Sequence, residues 1–380
     1  MIHVSDPALR PIAERIGAGI SLSQQDGEAL YASRDVFAIG RLANFVRTKL
    51  HGDITYYNRN RHINYTNVCA LSCKFCSFYR KRGEDGAYEM PIEQVIATAR
   101  AAADAGATEV HIVGGLHPWL KFDYYLDILR GIRQECPALH IKAFTAIEIV
   151  HFSRISRLSI HDTLLSLRQA GLGSMPGGGA EIFDDRVHDQ AFKGKVRADR
   201  WFEVHRTAHA LGIPSNATML YGHVETPAER IGHLIKLREL QAESLAAGGA
   251  HFNCVIPLSF APENSELGNL PGNTGLSDLK TLAISRLMID NIAHIKAFWI
   301  MQGVGLSQLA LDWGCDDLDG TVVWYDITKR EGHGVHQQLH VADIRRLIRE
   351  AGKTPVERDT TYHPIVREMN VNEGAAVVIA

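Results

Sequence analysis

Residues 69–76 read CALSCKFC, with cysteines at positions 69, 73 and 76. Three thiolates at spacings of four and three residues can hold three irons of a cubane iron–sulfur cluster. The fourth iron then lacks a protein ligand, so a small molecule can bind it and receive an electron. The alternative is a structural zinc site, but such sites need four ligands and usually contain CxxC pairs. His62 would have to be recruited as the fourth ligand, so Cys69, Cys73 and Cys76 predict a 4Fe–4S cluster with one exchangeable iron.

The rest of the composition is that of an ordinary globular enzyme. The chain has 380 residues, 46% hydrophobic and 22% charged, with a formal net charge of −3. This balance provides no basic field for nucleic acid. No apolar signal region opens the chain and no apolar stretch is long enough for a bilayer. We therefore expect a cytoplasmic enzyme of a small-molecule substrate, with no nucleic-acid or membrane partner. Six cysteines are too few for a disulfide scaffold.

Short β-rich runs alternate with amphipathic helical segments from about residue 58 onward. Such alternation is typical of parallel strands joined by right-handed crossovers. Eight such units indicate a (β/α)8 TIM-type barrel, with a doubly wound open sheet as the alternative. The predicted strands are residues 62–68, 108–114, 140–146, 173–175, 215–222, 251–258, 294–301 and 319–324.

The predicted barrel has an extension at each end. Residues 1–55 are expected to form an N-terminal helical extension, residues 56–330 the barrel, and residues 331–380 a C-terminal extension packed on the barrel. In a barrel, chemistry lies at the carboxyl ends of the strands. The cysteine loop and the glycine-rich strings GGLHP and PGGGAE all follow predicted strands.

The CxxxCxxC loop, with Phe75 before its last cysteine, resembles the signature of the radical S-adenosylmethionine (SAM) superfamily. The resemblance covers roughly residues 55–330. It implies that SAM binds the open iron as a co-substrate through its amino and carboxylate groups. It also implies a partner that donates electrons to the cluster, such as flavodoxin or ferredoxin.

The same resemblance implies a set of SAM-binding residues. Gly114 and Gly115 match the glycine pair that receives the SAM amino group, although Leu116 replaces the acid that often follows. An acid directly after a strand, at position 148, is expected to accept hydrogen bonds from the ribose or the amino group. The full set of expected cofactor-binding residues is Gly114, Gly115, Glu148, Glu181, Met219 and Tyr221, the last two beside the adenine.

GSMPGGGAEIF (173–183) resembles the futalosine-pathway branch of menaquinone biosynthesis, and most closely its aminofutalosine synthase family. That family adds the adenosyl radical to 3-[(1-carboxyvinyl)oxy]benzoate, with rearrangement and loss of CO2. The alternatives are the cyclase of the same branch, a coenzyme F420 precursor synthase, and a non-catalytic iron–sulfur or zinc protein. Because the substrate carries two carboxylates, the barrel mouth should offer cationic or hydrogen-bonding groups. The candidates are His117, Arg286 and Ser259.

Overall fold

The computed structural model describes residues 4–179, 181–322 and 337–367. A 3-10 helix, Pro7–Leu9, and three α-helices precede the first strand: α1 Arg10–Ala18, α2 Gln24–Ala32 and α3 Val36–His51. Gly19 ends α1 in the left-handed region, with φ of 70°. A reciprocal capping box of Ser23 and Asp26 begins α2. These two features mark the end of α1 and the start of α2.

Strands and helices then alternate along the chain. The elements are β1 Ile54–Asn58, β2 Asn60–Ile63, α4 Ile92–Asp104, β3 Glu109–Ile112, α5 Phe122–Glu135, β4 His140–Ala143, α6 Ala146–Ser156, α7 Ile160–Ala170, α8 Asp185–Ala191, α9 Ala198–Ala210, β5 Ser215–Tyr221, α10 Pro227–Ala246, β6 Phe252–Ser259, α11 Gly275–Met288, β7 His294–Ile295, α12 Trp299–Gln302, α13 Val304–Ala310, β8 Asp317–Gly320, α14 Val341–Glu350 and β9 Thr354–Glu357.

The parallel strands close into a ring. β2, β3 and β4 pair in that order, and so do β5, β6 and β7. Single bridges from Lys142 to Ser174 and from Met175 to Ser215 join these two sheets. Lys296 pairs with Asp317 at β8, and β8 pairs with β1. Because β1 and β2 form one interrupted first strand, the ring has eight positions, and the predicted (β/α)8 barrel is confirmed while the open sheet is excluded.

Several predicted strand boundaries differ from the structure. The first barrel strand ends at Ile63 rather than at residue 68. The strand predicted over 294–301 ends at Ile295, and Trp299–Gln302 is helical. A short buried apolar run has no periodicity that separates a strand from a helix. The strand predicted over 319–324 is β8, which begins two residues earlier, and residues 323–324 lie outside the described residues.

The C-terminal part of the chain adds an element that the sequence did not indicate. β9 pairs in parallel with β1, with Ile54 opposite Thr354. The helix α14, Val341–Glu350, precedes β9. Among the described residues, no helix combines the length and the apolar character that a membrane crossing requires.

Candidate active site

A cavity runs from the carboxyl ends of the strands into the barrel. The cysteine loop and the two glycine loops line its mouth, and inward-facing strand residues line its interior. The cysteine loop and the two glycine loops thus lie at the end of the barrel where the sequence predicted the chemistry. Of the predicted residues, the three cysteines, the glycine pair and the two glutamates line the cavity: Cys69, Cys73, Cys76, Gly114, Gly115, Glu148 and Glu181.

In the described residues, the three thiols do not form a compact site for one zinc ion. Tetrahedral zinc, with Zn–S distances of about 2.3 Å, would hold its thiolates roughly 4 Å apart. Among the described residues, the one set of three such donors within 4.8 Å of one another is His51, His294 and Asp316, at the amino ends of β7 and β8. Cys69, Cys73 and Cys76 do not form such a set, with or without His62, so at least one pair of their sulfur atoms lies more than 4.8 Å apart. This agrees with a cubane cluster, in which each thiolate would bind a different iron.

The protein also supplies hydrogen bonds and burial to the thiols. The backbone N–H groups of Leu71 and Leu116 both donate to Cys69 Sγ at 3.4 Å. Burial raises the pKa of Cys73 to about 12. Because a thiolate is the metal ligand, cluster loading must release this proton.

Gly114 and Gly115 let the loop after β3 pack directly on the cysteine loop. A Cβ at Gly115 would lie 2.4 Å from the carbonyl oxygen of Val68, and one at Gly114 would lie 2.7 Å from Tyr65 Cζ. The Leu116 carbonyl accepts a hydrogen bond from the Ala70 N–H at 2.9 Å. The pair is therefore required for the close approach of two backbones at the mouth.

The second glycine-rich loop, residues 177–179, passes close to β5 and to the start of α6. A Cβ at Gly177 would lie 2.5 Å from the Ala217 carbonyl carbon. Just beyond this loop, the buried carboxylate of Glu181 pairs with the Lys195 ammonium. Lys195 Nζ also lies 4.9 Å from the ring centre of Phe75, next to the cysteines. Lys195 lines the mouth and was not among the predicted residues, since no motif around it signals a function.

Glu148 is corrected from a ligand contact to a structural acid. Its Oε1 accepts hydrogen bonds from the Tyr65 hydroxyl at 2.7 Å and from the Gly114 N–H at 3.0 Å. Its Oε2 accepts from the Thr145 N–H and hydroxyl, both at 2.7 Å. With two donors on each oxygen, no acceptor site is left for SAM. Glu148 instead caps α6 and fixes the loop of Gly114.

Met219, Tyr221 and Ser259 lie behind the barrel wall. Alternate residues of a strand face opposite sides, and Leu220 and Leu258 take the inward positions. The Tyr221 hydroxyl donates to Asp278 Oδ1 at 2.7 Å. These three predictions are corrected because the side chains point toward the helices.

His117 and Arg286 do not reach the cavity either. His117 Nδ1 accepts from the N–H of Leu120 at 3.1 Å, and its Nε2 lies 2.9 Å from Glu89. Arg286, on α11, is wholly buried and pairs with Asp316. Each is held by local structure, so both substrate-binding predictions are corrected.

The barrel interior contains polar residues that the sequence reasoning missed. The rings of His62 and His111 lie with their centres 4.3 Å apart and their planes tilted by 35°, and both residues line the cavity. Burial lowers the pKa of His62 to about 4 and the pKa of His111 well below its ordinary value, so both rings are neutral near pH 7. Lys142 and Lys296 also line the cavity. The repeated string HIKAF, at 140–144 and 294–298, was the available signal for the lysines.

Comparison with known proteins agrees with this geometry. Residues 63–237 match the family described as the Radical SAM superfamily, and residues 249–371 match the CofH/MqnC C-terminal region. The chain is 44% identical over 369 residues to the aminodeoxyfutalosine synthase of Thermus thermophilus, covering 96% of this chain and 98% of the relative. It is 39% identical over 343 residues to the 5-amino-6-(D-ribitylamino)uracil–L-tyrosine 4-hydroxyphenyl transferase of Methanopyrus kandleri, covering 89% and 92%. The crystal structure of methylornithine synthase shares the fold, with a TM-score of 0.72 at 18% identity over 90% of this chain and 97% of that one.

Proposed function

The chain belongs to the radical SAM superfamily, whose members use a 4Fe–4S cluster and SAM, and from this premise we propose that it is an aminodeoxyfutalosine synthase. The proposed reaction joins the adenosyl carbon of SAM to 3-[(1-carboxyvinyl)oxy]benzoate, with rearrangement and decarboxylation. The products are 6-amino-6-deoxyfutalosine, methionine and CO2. The observation that carries the proposal is the full-length similarity to a synthase of that name, together with a cavity that combines the cysteine loop and a polar interior.

The division of labour follows from the residues of the mouth. When bound, the cluster and SAM supply an adenosyl radical, while the protein positions and shields the reactants. Cys69, Cys73 and Cys76 would hold three irons. Lys195, paired with Glu181, places a cation beside the thiols that can face the carboxylate of SAM. The backbone of Gly114 and Gly115 would lie against the methionine part of SAM.

We propose further that the enzyme works in the cytoplasm with a one-electron donor such as flavodoxin or ferredoxin. Support comes from Cys136, Cys254 and Cys315, which lie outside the cysteine loop and form no disulfide, since disulfides are rare in that compartment. We also propose the division into an N-terminal extension (1–55), a barrel (56–330) and a C-terminal extension (331–380).

A second candidate function comes from the similarity to the tyrosine-dependent transferase. That relative is named for transfer of a 4-hydroxyphenyl group from L-tyrosine to 5-amino-6-(D-ribitylamino)uracil. The two functions differ in the fate of the adenosyl group. We expect the synthase to keep this group in its product.

The test is anaerobic turnover with SAM labelled in its adenosine part, using the enolpyruvyl benzoate in one reaction and tyrosine with the diaminouracil in another. The proposal predicts label in aminodeoxyfutalosine in the first reaction. Label found only in free 5′-deoxyadenosine, or turnover only with tyrosine, would contradict it. The variant Cys73→Ala is the control, because it removes one iron ligand and should abolish both products.

A further inference from the structure

Three inward side chains form a continuous row across the barrel. His62 on β2 pairs in register with His111 on β3, and His111 pairs in register with Lys142 on β4. All three side chains line the cavity. Equivalent positions of neighbouring strands point to the same face, so these groups lie side by side. We call His62, His111 and Lys142 the floor row.

Two polar groups at this level lack protein partners. Among the described residues, neither ring nitrogen of His111 has a hydrogen-bond partner, and its ring centre lies 4.3 Å from that of His62 with the two ring planes tilted by 35°. Asn216 is 3% exposed, and its side-chain amide likewise has no partner in the described part of the chain. Both residues line the cavity. Asn216 is buried and His111 is half-buried. Both have hydrogen-bonding capacity that the described residues do not use, so a polar ligand in the cavity can bind them.

Lys142 keeps hydrogen-bond donors that an anionic ligand can use. An ammonium has three donors, and Lys142 gives one to Glu109 at 2.7 Å. Glu109 accepts a second hydrogen bond from the Thr360 hydroxyl at 2.6 Å. Lys296 is likewise paired with Asp319. The two lysines and two acids balance in formal charge. A bound carboxylate would therefore be held by hydrogen bonds from the remaining Lys142 donors and from the Asn216 amide rather than by an unpaired cation.

The wall above the floor row is apolar. Val113, Leu220, Ile256, Leu258 and Phe298 line the cavity between the floor and the mouth. β3 ends at Ile112, so the four residues from His111 to Gly115 span at most roughly 14 Å. This upper bound allows an aromatic ring between a carboxylate on the floor and a reacting group at the mouth.

We propose that the floor row and Asn216 bind the ring carboxylate of an aryl carboxylate substrate and so hold its 3-substituent toward the cysteine loop. This inference rests on the proposed function, because that function supplies a benzoate with its reactive group in a 3-substituent. The sequence reasoning placed the carboxylate contacts at the mouth. The inference moves one of them to the opposite end of the cavity.

The experiment compares two unreactive ligands, 3-methoxybenzoate and 3-methoxybenzamide, by calorimetry on the reconstituted enzyme with SAM bound. The variants are His111→Phe, which keeps a ring against His62, and Asn216→Leu, which keeps the volume. The control is His161→Phe on α7, where the side chain is 57% exposed. Melting temperature and SAM affinity of each variant report its folding, and the two variants probe the floor independently.

Wild type and His161→Phe should prefer the acid over the amide. His111→Phe should weaken binding of the acid about 10- to 100-fold, the range for lost hydrogen bonds to a charged group, and leave the amide nearly unchanged. Asn216→Leu should act in the same direction. If both folded variants keep the wild-type preference while the wild type makes aminodeoxyfutalosine, the inference is overturned and the proposed function stands. If the wild type neither makes that product nor binds the acid, both are overturned.

Discussion

Replacing Gly115 with alanine tests whether the glycine pair exists for the packing of two backbones. The new Cβ would lie 2.4 Å from the Val68 carbonyl oxygen and 2.8 Å from its carbonyl carbon. Ordinary contact begins at 3.4 Å, so one of the two loops must move by about 1 Å. Overpacking of this kind costs about 1–3 kcal/mol. Because Val68 directly precedes Cys69, the displacement also moves a cluster ligand.

Urea unfolding of the cluster-free protein should show this loss for Gly115→Ala, and iron and sulfide analysis after reconstitution should show less than full cluster. Gly232→Ala is the matched control, since Gly232 lies within α10 and has nothing within 4 Å of its added Cβ. That change should stabilise the protein by about 0.5–1 kcal/mol. A Gly115→Ala protein with wild-type stability and a full cluster would refute the packing argument.

Three further predictions follow from single side chains. His233 accepts a hydrogen bond from the Phe183 N–H, and burial lowers its pKa to about 3. The contribution of neutral His233 to the free energy of unfolding is therefore complete above pH 6.5 and is lost as the pH falls toward 3. Urea unfolding should show about 2 kcal/mol lost through this group between pH 6.5 and 5, with a shallower slope in His233→Gln; an unchanged slope would contradict the assignment. Calorimetry should show SAM binding at least tenfold weaker in Lys195→Met, but not in Lys193→Met, whose side chain is exposed. Equal SAM affinity of Lys195→Met and the wild type would show that Lys195 is not part of the SAM site. Tyr221→Phe should leave SAM affinity unchanged and lower the free energy of unfolding by about 1–3 kcal/mol, because the Tyr221 hydroxyl donates a hydrogen bond to the buried Asp278. A loss of SAM affinity would show that the Tyr221 side chain does contact SAM.

The sequence was sufficient where the signal is local. The cysteine spacing and the glycine pairs are short motifs whose chemistry depends on neighbours along the chain, and the structure places them together at one mouth. Alternation of strands and helices was enough for the barrel. The capping role of Glu148 could also have been predicted, because Thr145-x-x-Glu148 is the signature of a capping box. The resemblance to a family with a ligand-binding acid at this place led instead to the prediction of a SAM contact.

The sequence does not indicate which side chains of a fully buried strand face the cavity and which face the helices. All seven residues of β5 are buried, on the side of the cavity and on the side of the helices alike. Strands covered on both faces are apolar on both, so the pattern does not tell which residues face inward. Met219 and Leu220 therefore look alike in the sequence. The proximity of Lys195 to the cysteines could not be predicted for another reason, because only the tertiary structure brings them together.

The pairing of β1 with β9 has a consequence for biosynthesis. Ile54 and Thr354 are partners across 300 residues of chain. At about 5–20 residues per second, a ribosome needs roughly 15–60 s to make that interval. During this time the outer edge of β1 is open, and an open edge can pair with another strand. Nascent chains released early should therefore be prone to aggregation, and a C-terminal fusion that delays release should change the yield of folded enzyme more than an N-terminal one.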